Sequence, residues 1–415
     1  MKRQMLIFGA LLIAGILFPS RANAQSGAVC DGAFHWVYVT GTENLDGSET
    51  GFEYLCQTGS ATGPLLFYLQ GAAACWTGDS CDCQPNAVGV CTNPNATTVF
   101  GFFNQSTSDD GLPWAQTYWG GGVGAGNPQV SGGPGTRAAA FAGPTSPFNQ
   151  NWNIIYIPHT TGDAFMGNTV RELTTSGGKT YTVHFRGYRN ITNDLKVIAS
   201  LFPNPSKIAI WGISGGGVGA DCNLSQFQGK WPTTSMWEMS NAGLAYGTDD
   251  IMPLLPTVAE IWGVWEPGPG GAIVENTCPI IAQAGSTDWN LEWVVRYNAN
   301  NFPNVRKALT DDYSDSTVSQ FACLFGATPG PNGSCAGAVA STLTAEFNDV
   351  ISGAANYKVF YHTGTCHYER ELDGNGTSDF SKPYCDFDKM HQSGVNFNDW
   401  VNAWVNNSPV WINVR

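Results

Sequence analysis

Lys207-Ile-Ala-Ile-Trp-Gly-Ile-Ser-Gly-Gly-Gly-Val-Gly-Ala-Asp221 is the stretch that decides the fold. Residues 208–211 are apolar, as in a buried strand, and they lead into the G-x-S-x-G sequence 212–216 and then into a potential helix. Such a sequence places a serine on a strained strand-to-helix turn, with its hydroxyl exposed and the next backbone N–H ready to bind an oxyanion. The stretch therefore predicts Ser214 as a nucleophile and Gly215 as an oxyanion donor. A tight structural turn is the alternative, because a chain with 50 glycines contains such spacings by chance.

Strand-like and helix-like segments alternate along the rest of the chain. The predicted strands are 34–40, 51–56, 65–69, 152–157, 208–211, 235–239, 305–309 and 357–361, and the predicted helices are 191–201, 291–300 and 399–406. Continuous apolar runs such as 65–69 are typical of strands buried on both faces. The alternation predicts a mostly parallel central sheet covered by helices. We therefore expect a single α/β domain over residues 25–415, similar to an α/β-hydrolase.

The first 24 residues have the composition of a secretory leader. Met1-Lys2-Arg3 supplies a charged start, residues 5–18 form an apolar stretch too short to span a bilayer, and Ala22-Asn23-Ala24 is an A-x-A cleavage site. We expect cleavage before Gln25 and a secreted or periplasmic mature chain, with a retained membrane anchor as the alternative. No later segment predicts a membrane span.

The composition is acidic. The formal charge is −14, and it becomes −17 once the leader, with its three basic residues, is removed. This charge argues against nucleic acid or an anionic membrane as a partner. The same charge repels a polyanionic substrate.

All 12 cysteines follow the leader, and an even count in an exported chain predicts disulfides. Local bridges are expected between Cys323 and Cys335 and between Cys366 and Cys385. The long, irregular segment 75–150 is expected to form disulfide-pinned loops over the site. A zinc site is the alternative for four cysteines of this segment, but their spacing contains no C-x-x-C pair. These cysteines are Cys75, Cys81, Cys83 and Cys91. Neither a metal nor a cofactor is therefore predicted.

A serine hydroxyl needs a histidine to accept its proton and a carboxylate to orient that histidine. In α/β-hydrolases these residues follow the serine in the order acid, then histidine, each on a loop after a strand. His367 is the preferred base, because it lies shortly after the last predicted strand and beside Cys366. The alternatives are His362, at the end of that strand, and His391 near the C-terminus.

The triad acid is left open by the residues alone. Asp311, Asp312 and Asp315 all follow the predicted strand 305–309. Each is therefore placed at the edge of the sheet where the serine is expected. Position does not separate them.

Four patches together resemble the pectin acetylesterase family, which includes Notum. They lie in the same order as in that family, and one of them is the serine turn itself. The patches are Leu69-Gln-Gly-Ala-Ala-Ala-Cys75, residues 158–167, His184-Phe-Arg-Gly-Tyr-Arg-Asn190 with Gly212-Ile-Ser-Gly-Gly216, and Tyr313-Ser-Asp-Ser316 with Gly364-Thr-Cys-His367. Three positions depart from the family pattern: Ala72-Ala73 replace glycines, Gly215 replaces alanine, and Thr160 replaces a cysteine found in many members.

The resemblance implies a site and an activity. The implied triad is Ser214, Asp315 and His367. The implied oxyanion donors are Ala72, Ala73 and Gly215. We also expect substrate contacts from three residues in the same loops: Gly71, Trp76 and Asp163. Trp76 is grouped with Trp114, Tyr118 and Trp119 as a candidate carbohydrate-stacking wall, with core packing as the alternative.

The expected function is therefore that of a secreted serine esterase that removes acetyl groups from a plant polysaccharide such as pectin. Two alternatives remain. One is an esterase of the same fold that acts on lipids or polyesters. The other is a non-catalytic carbohydrate-binding relative.

Overall fold

The structure, a computed structural model, describes residues 27–71, 74–81, 147–148, 151–243, 253–267, 273–275, 277–278, 292–364, 368–370, 384–386 and 390–415. Several predicted features lie outside these ranges. They are the leader, the oxyanion donors Ala72 and Ala73, the base His367, and the aromatic residues Trp114, Tyr118 and Trp119.

The described ranges contain both strands and helices. The strands are β1 (Phe34–Glu43), β2 (Glu49–Leu55), β3 (Leu65–Leu69), β4 (Asn153–Ile157), β5 (Thr169–Thr174), β6 (Thr180–Phe185), β7 (Ile208–Ile213), β8 (Met236–Asn241), β9 (Trp265–Pro267), β10 (Ile273–Glu275), β11 (Arg306–Asp312), β12 (Tyr357–His362), β13 (Tyr368–Arg370), β14 (Tyr384–Asp386), β15 (His391–Gln392) and β16 (Val395–Asn396). The helices are α1 (Gly78–Cys81), α2 (Gly187–Leu201), α3 (Gly215–Lys230), α4 (Leu255–Ile261), α5 (Glu292–Asn301), α6 (Ser316–Leu324), α7 (Ala336–Asp349) and α8 (Phe397–Val405). None of the helices in the described ranges is both long and apolar enough to cross a membrane.

Eight strands form one sheet in the order β1-β2-β4-β3-β7-β8-β11-β12. Strand β2 runs antiparallel to β1 and to β4, and the remaining pairs are parallel. The predicted mostly parallel α/β sheet is thus confirmed. The chain order reverses around β3, which has β4 on one side and β7 on the other. In open α/β sheets such a reversal opens a crevice at the carboxyl ends of the strands.

The central strands are buried on both faces, as their continuous apolar runs predict. Every residue of β3, β4, β7 and β8 is buried. Alternate residues of β7 enter different cores: Ile208 and Ile210 face one side, and Trp211 and Ile213 face the other. This alternation follows from the two-residue period of a strand.

The two faces of the sheet are covered differently. One, the multi-helix face, packs against α2, α3, α5, α6 and α7. The other, the aromatic face, packs against α8. Its centre consists of Trp211, Phe360, Phe397, Trp400 and Trp404.

The last residues of the chain complete the sheet beyond β12. Val414 forms a parallel bridge with Phe360. Its N–H donates to the carbonyl of Val359, and its carbonyl accepts from the N–H of Tyr361, at 2.9 Å each. The outer edge of β12 is therefore hydrogen-bonded to the C-terminal segment.

Several predicted bounds need correction. Helix α2 begins at Gly187, four residues before the predicted start, and β11 extends through Asp312 instead of ending at residue 309. The hairpin of β5 and β6 and the helices α6 and α7 were not predicted.

Four disulfides are present among the described residues: Cys30–Cys56, Cys75–Cys81, Cys222–Cys278 and Cys323–Cys335. The predicted Cys323–Cys335 bridge is confirmed. Two cysteines of the cluster considered for zinc, Cys75 and Cys81, are bonded to each other. The predicted Cys366–Cys385 bridge lies outside the described side chains.

Candidate active site

Ser214 occupies a strained turn between β7 and α3. Its backbone has φ 53° and ψ −123°, a conformation that residues with a side chain rarely adopt. The surrounding hydrogen bonds hold it there: the N–H of Ser214 donates to the carbonyl of Asn241 at 2.8 Å, and the carbonyl of Ser214 accepts from the N–H of Gly217 at 2.8 Å. The predicted strand-to-helix turn is therefore present, with Ser214 at its apex.

The glycines on either side of the turn are required by close backbone contacts. A Cβ at Gly212 would lie 1.9 Å from the carbonyl oxygen of Gly216, and a Cβ at Gly216 would lie 2.3 Å from that of Leu69. Neither distance leaves room for a side chain. The G-x-S-x-G spacing is thus a steric condition of this turn.

The loop after β3 reaches the serine. A Cβ at Gly71 would lie 2.6 Å from the carbonyl oxygen of Ile213 and 3.0 Å from Cβ of Ser214. Gly71 therefore lies directly against the turn. Ala72 and Ala73 follow outside the described residues, so their roles as oxyanion donors stay predictions.

Gly215 is the first residue of α3. The first N–H groups of a helix have no carbonyl one turn earlier to bond with, and they form the positive end of the helix dipole. The N–H of Gly215 therefore lies at the positive end of α3 directly after Ser214, and its role as an oxyanion donor stays a prediction.

The loop after β4 is organised by two buried side chains. Nε2 of His159 accepts from the N–H groups of Asp163 at 3.1 Å and Ala164 at 2.9 Å. The carboxylate of Asp163 is fully buried and accepts from the N–H of Phe165 at 3.1 Å and of Gly187 at 2.8 Å. These contacts attach the loop to the start of α2. Contact between Asp163 and a substrate stays a prediction.

Trp76 packs against Phe325, with ring centroids 5.2 Å apart. It is partly buried against the core of the multi-helix face. Next to it, the indole N–H of Trp262 donates to the carbonyl of Cys75 at 2.7 Å. Trp76 is therefore anchored on one side by core packing, and its contact with a substrate stays a prediction.

The three candidate acids occupy different positions at the end of β11. Asp311 and Asp312 are the last residues of the strand, so their side chains point to opposite faces. Asp315 is the N-cap of α6, fully buried. Its Oδ1 accepts from the N–H of Thr317 at 2.8 Å and of Val318 at 2.7 Å.

Asp312 pairs with one of the alternative histidines. Oδ1 of Asp312 lies 3.0 Å from Nδ1 of His362, and the two residues are direct partners in the register of β11 and β12. Strand β12 is three strands from β7, which is about 14 Å across the sheet. His362, still within β12, is therefore remote from Ser214.

The loop that leads to His367, the preferred base, begins directly against the pair of Asp312 and His362. A Cβ at Gly364 would lie 2.3 Å from Oδ2 of Asp312 and 2.6 Å from Nδ1 of His362. His367 lies five residues after His362, and five extended residues span up to about 17 Å. A loop of this length can return to Ser214. The third histidine, His391, is exposed in β15.

Asp311 differs from its neighbours in its protonation. It is buried, and burial together with the nearby carboxylate of Asp315 raises its pKa well above the ordinary value. Its side chain lies within hydrogen-bonding reach of Asp315.

One contributor to the site was missed by the sequence reasoning. The carbonyl of Asn241, at the end of β8, holds the N–H of Ser214. The position of Asn241 at the end of a strand adjacent to the serine turn was the available signal.

These features define the class of the protein: a mostly parallel α/β protein with a serine on a strained strand-to-helix turn at the carboxyl edge of its sheet. No protein-family model matches the chain, and no curated protein matches it. The likeness to the pectin acetylesterase family therefore rests on the four sequence patches.

Proposed function

We propose that the protein is a serine esterase with Ser214 as its nucleophile. The observation that supports this most strongly is the backbone of Ser214, at φ 53° and ψ −123°, where the strand order reverses. Strain of this kind persists where the surrounding structure over-determines it, and it concentrates at functional sites. The carboxyl edge at such a reversal is also where α/β sheets bind ligands.

The arrangement of the sheet supports an α/β-hydrolase. The strand order, with the second strand alone running antiparallel to its neighbours, is the order of that fold. The nucleophile follows the central strand β7, and the loop after β3 meets it at Gly71, as the oxyanion loop does in α/β-hydrolases.

The spacing of the strands suits a triad of Ser214, His367 and Asp315. Strands β7 and β11 are separated by β8 alone, which is about 10 Å across the sheet. An imidazole with a hydrogen bond at each nitrogen spans about 7 Å between its two partners. The remaining distance of about 3 Å is covered if the side chains of Ser214 and Asp315 lean toward each other. The base comes from the loop after β12.

The proposed mechanism has two halves. His367 accepts the proton of the Ser214 hydroxyl while the serine oxygen attacks the ester carbonyl, and Asp315 holds the imidazole in the correct tautomer. The N–H of Gly215 and one from Ala72 or Ala73 bind the oxyanion, each contributing roughly 10²–10³ in rate. The alcohol leaves with the proton from His367. Water, deprotonated by His367, then attacks the acyl-serine; the acyl C–O bond to Ser214 breaks, His367 returns the proton to the Ser214 oxygen, and the acid is released.

The resemblance and the charge together favour a neutral acetylated glycan as substrate. The family suggests acetyl esters of a plant polysaccharide. The formal charge of the whole chain is −14, and it repels the carboxylates of a polyuronate such as pectin. The disulfides fit secretion into an oxidising compartment.

The test is the Ser214→Ala variant, with Ser341→Ala as the matched control. Ser341 lies on the exposed surface of α7, where its hydroxyl donates to the carbonyl of Gly337 at 2.8 Å. We expect Ser214→Ala to lower kcat for p-nitrophenyl acetate by at least ~10³-fold, and Ser341→Ala to leave it unchanged. A fluorophosphonate should add its mass to the peptide that contains Ser214. Full activity in Ser214→Ala would exclude the proposal.

Substrate class is measured separately. Acetate release from acetylated xylan should exceed release from acetylated pectin, and the difference should shrink at high salt, because salt screens charge repulsion. A series of p-nitrophenyl esters that peaks at long acyl chains would favour the lipid or polyester alternative.

A further inference from the structure

Asp311 and Asp315 bring two carboxyl groups together at the end of β11. Both side chains are buried, with exposures of 1% and 0%. They lie within hydrogen-bonding reach of each other. Two ionised carboxylates in one buried place repel each other strongly, so at most one of them is charged at neutral pH.

The hydrogen bonds around Asp311 are incomplete for a carboxylate. Its Oδ1 accepts from the N–H of Asp312 at 2.8 Å. Its Oδ2 is buried and accepts no hydrogen bond from any residue that the structure describes. A buried carboxylate oxygen without a donor is costly. An oxygen that carries a proton instead becomes a donor itself and needs an acceptor.

The surroundings assign the proton to Asp311. Asp315 accepts hydrogen bonds from two backbone N–H groups at the start of α6 and lies at the positive end of that helix. Among the residues that the structure describes, the other titratable groups that face Asp311 are Asp312, on its own strand, and Tyr361, on β12. The pKa of Tyr361 is raised by burial, so its phenol is neutral. Burial and Asp315 likewise raise the pKa of Asp311.

We propose that Asp311 is a positioning residue: as a neutral acid it donates a hydrogen bond from Oδ2 to the carboxylate of Asp315 and fixes that carboxylate for the imidazole. The O–H of Asp311 then joins the N–H groups of Thr317 and Val318 as a donor to Asp315. A hydrogen bond between an acid and a carboxylate is short and strong. The part of this inference that concerns catalysis rests on the proposed role of Asp315.

The proposal predicts a dependence on pH. When Asp311 loses its proton, its O–H no longer donates a hydrogen bond to Asp315, and its carboxylate places a second negative charge beside Asp315. Asp315 is then no longer held in position. The folded protein binds this proton more tightly than the unfolded chain does. Its contribution to stability is therefore present at low pH and is lost as the pH rises through the raised pKa of Asp311.

The test compares Asp311→Asn with Asp311→Ala. The amide of Asn has the same shape, its oxygen accepts from the N–H of Asp312, and its NH₂ group donates to Asp315 without titrating. We expect Asp311→Asn to keep kcat within about threefold and to lose the alkaline decline that this group causes. Asp311→Ala should lower kcat by at least tenfold, since Asp315 then loses the donor that Asp311 supplies. Equal impairment of the two variants would overturn the proposal.

A second measurement does not depend on activity. The infrared difference spectrum between wild type and Asp311→Asn should contain the carbonyl band of one protonated carboxylic acid, present in wild type at neutral pH. Absence of that band would overturn the assignment of the proton. If Asp315→Asn proved fully active, the proposed triad would fail, whereas the infrared result would still decide whether Asp311 holds a proton.

Discussion

The two faces of the sheet are stabilised by different interactions. The multi-helix face buries ionisable side chains among its apolar contacts: Asp221, Glu238, Lys307 and Glu346. The aromatic face is centred on interlocking rings; Trp211, for example, contacts Trp404 edge-on at 6.3 Å. The aromatic face also buries two ionisable side chains, Glu53 and Asp312, but its centre consists of rings. Ring packing does not respond to pH, whereas the cluster of buried charges makes the stability of the multi-helix face depend on pH.

The charges of the multi-helix face are held by a few contacts. Nζ of Lys307 donates to the carbonyls of Phe302 at 2.7 Å and Val305 at 3.1 Å. Burial lowers the pKa of Lys307 to about 8, although Glu238 and Asp221 counteract the shift. Burial, together with Asp221, raises the pKa of Glu238. This face also supplies the N-termini of α3 and α6, where Ser214 and Asp315 lie.

The largest expected effect tests whether the chemistry belongs to the multi-helix side of β11. Asp315→Asn should lower kcat for p-nitrophenyl acetate by roughly 10³–10⁴-fold, because the imidazole loses the carboxylate that sets its tautomer. Asp312→Asn, which alters the pair with His362 on the other side of the strand, should cost about tenfold or less. The opposite ranking would move the acid to Asp312 and to the aromatic side.

The next effect concerns the ring packing. Trp404 is fully buried, and its indole N–H donates to the carbonyl of Arg306 at 3.1 Å. Trp404→Ala should lower the free energy of unfolding by about 4 kcal/mol, equally at pH 5 and pH 8. Urea unfolding at both pH values measures this, with the exposed Val410→Ala as the control. A loss that changed with pH would break the contrast between the faces.

A smaller effect is expected for the cation of the other face. Lys307→Met removes the positive charge beside Glu238 and Asp221. We expect a loss of about 3 kcal/mol at neutral pH, as for a broken buried pair, and a smaller loss at pH 5, where the carboxyl groups bind protons more readily. The same urea series measures it. An equal loss at both pH values would show that the charges do not interact.

The smallest effect is a gain. Glu346 is 1% exposed, neither of its carboxyl oxygens accepts a hydrogen bond from a described residue, and burial raises its pKa. Because the folded state holds this proton more tightly than the unfolded chain, the stability of wild type falls as the pH rises from about 4.5 toward the raised pKa. The amide introduced by Glu346→Gln does not titrate. The free energy of unfolding of this variant, measured relative to that of wild type, should therefore be about 1 kcal/mol higher at pH 8 than at pH 5. Exposed Glu172→Gln should show no such change.

Much of the fold was predictable because the central strands are apolar without interruption. The bounds of β3 were predicted to the residue. The end of β11 was predicted too early, because Thr310, Asp311 and Asp312 are polar and resemble a loop, although the structure buries all three. The early start of α2 was missed since Gly187, Tyr188 and Asn190 are weak helix formers.

The serine was predictable and its partners were less so, for a physical reason. The turn at Ser214 has a local sequence signature: a side chain at Gly212 would collide with the backbone of Gly216 within the turn, and one at Gly216 would collide with the backbone of Leu69 at the end of β3. The relation between Asp312 and His362 depends on the register of two strands that are 50 residues apart. The side chains of Asp311 and Asp312 point to opposite faces of the sheet. This could not be predicted from the sequence, because the predicted strand ended at residue 309 and the observed strand continues through Asp312.

The backbone hydrogen bonds of Val414 cover the outer edge of β12. An uncovered edge strand exposes unpaired backbone N–H and C=O groups, which can pair with the edge strand of another molecule and cause aggregation. Trimming the polypeptide ahead of this point, or pulling it away with a bulky affinity tag, would uncover that edge. Purification handles therefore belong at the N-terminal end, and a variant shortened before Val414 should elute as aggregates on size-exclusion chromatography.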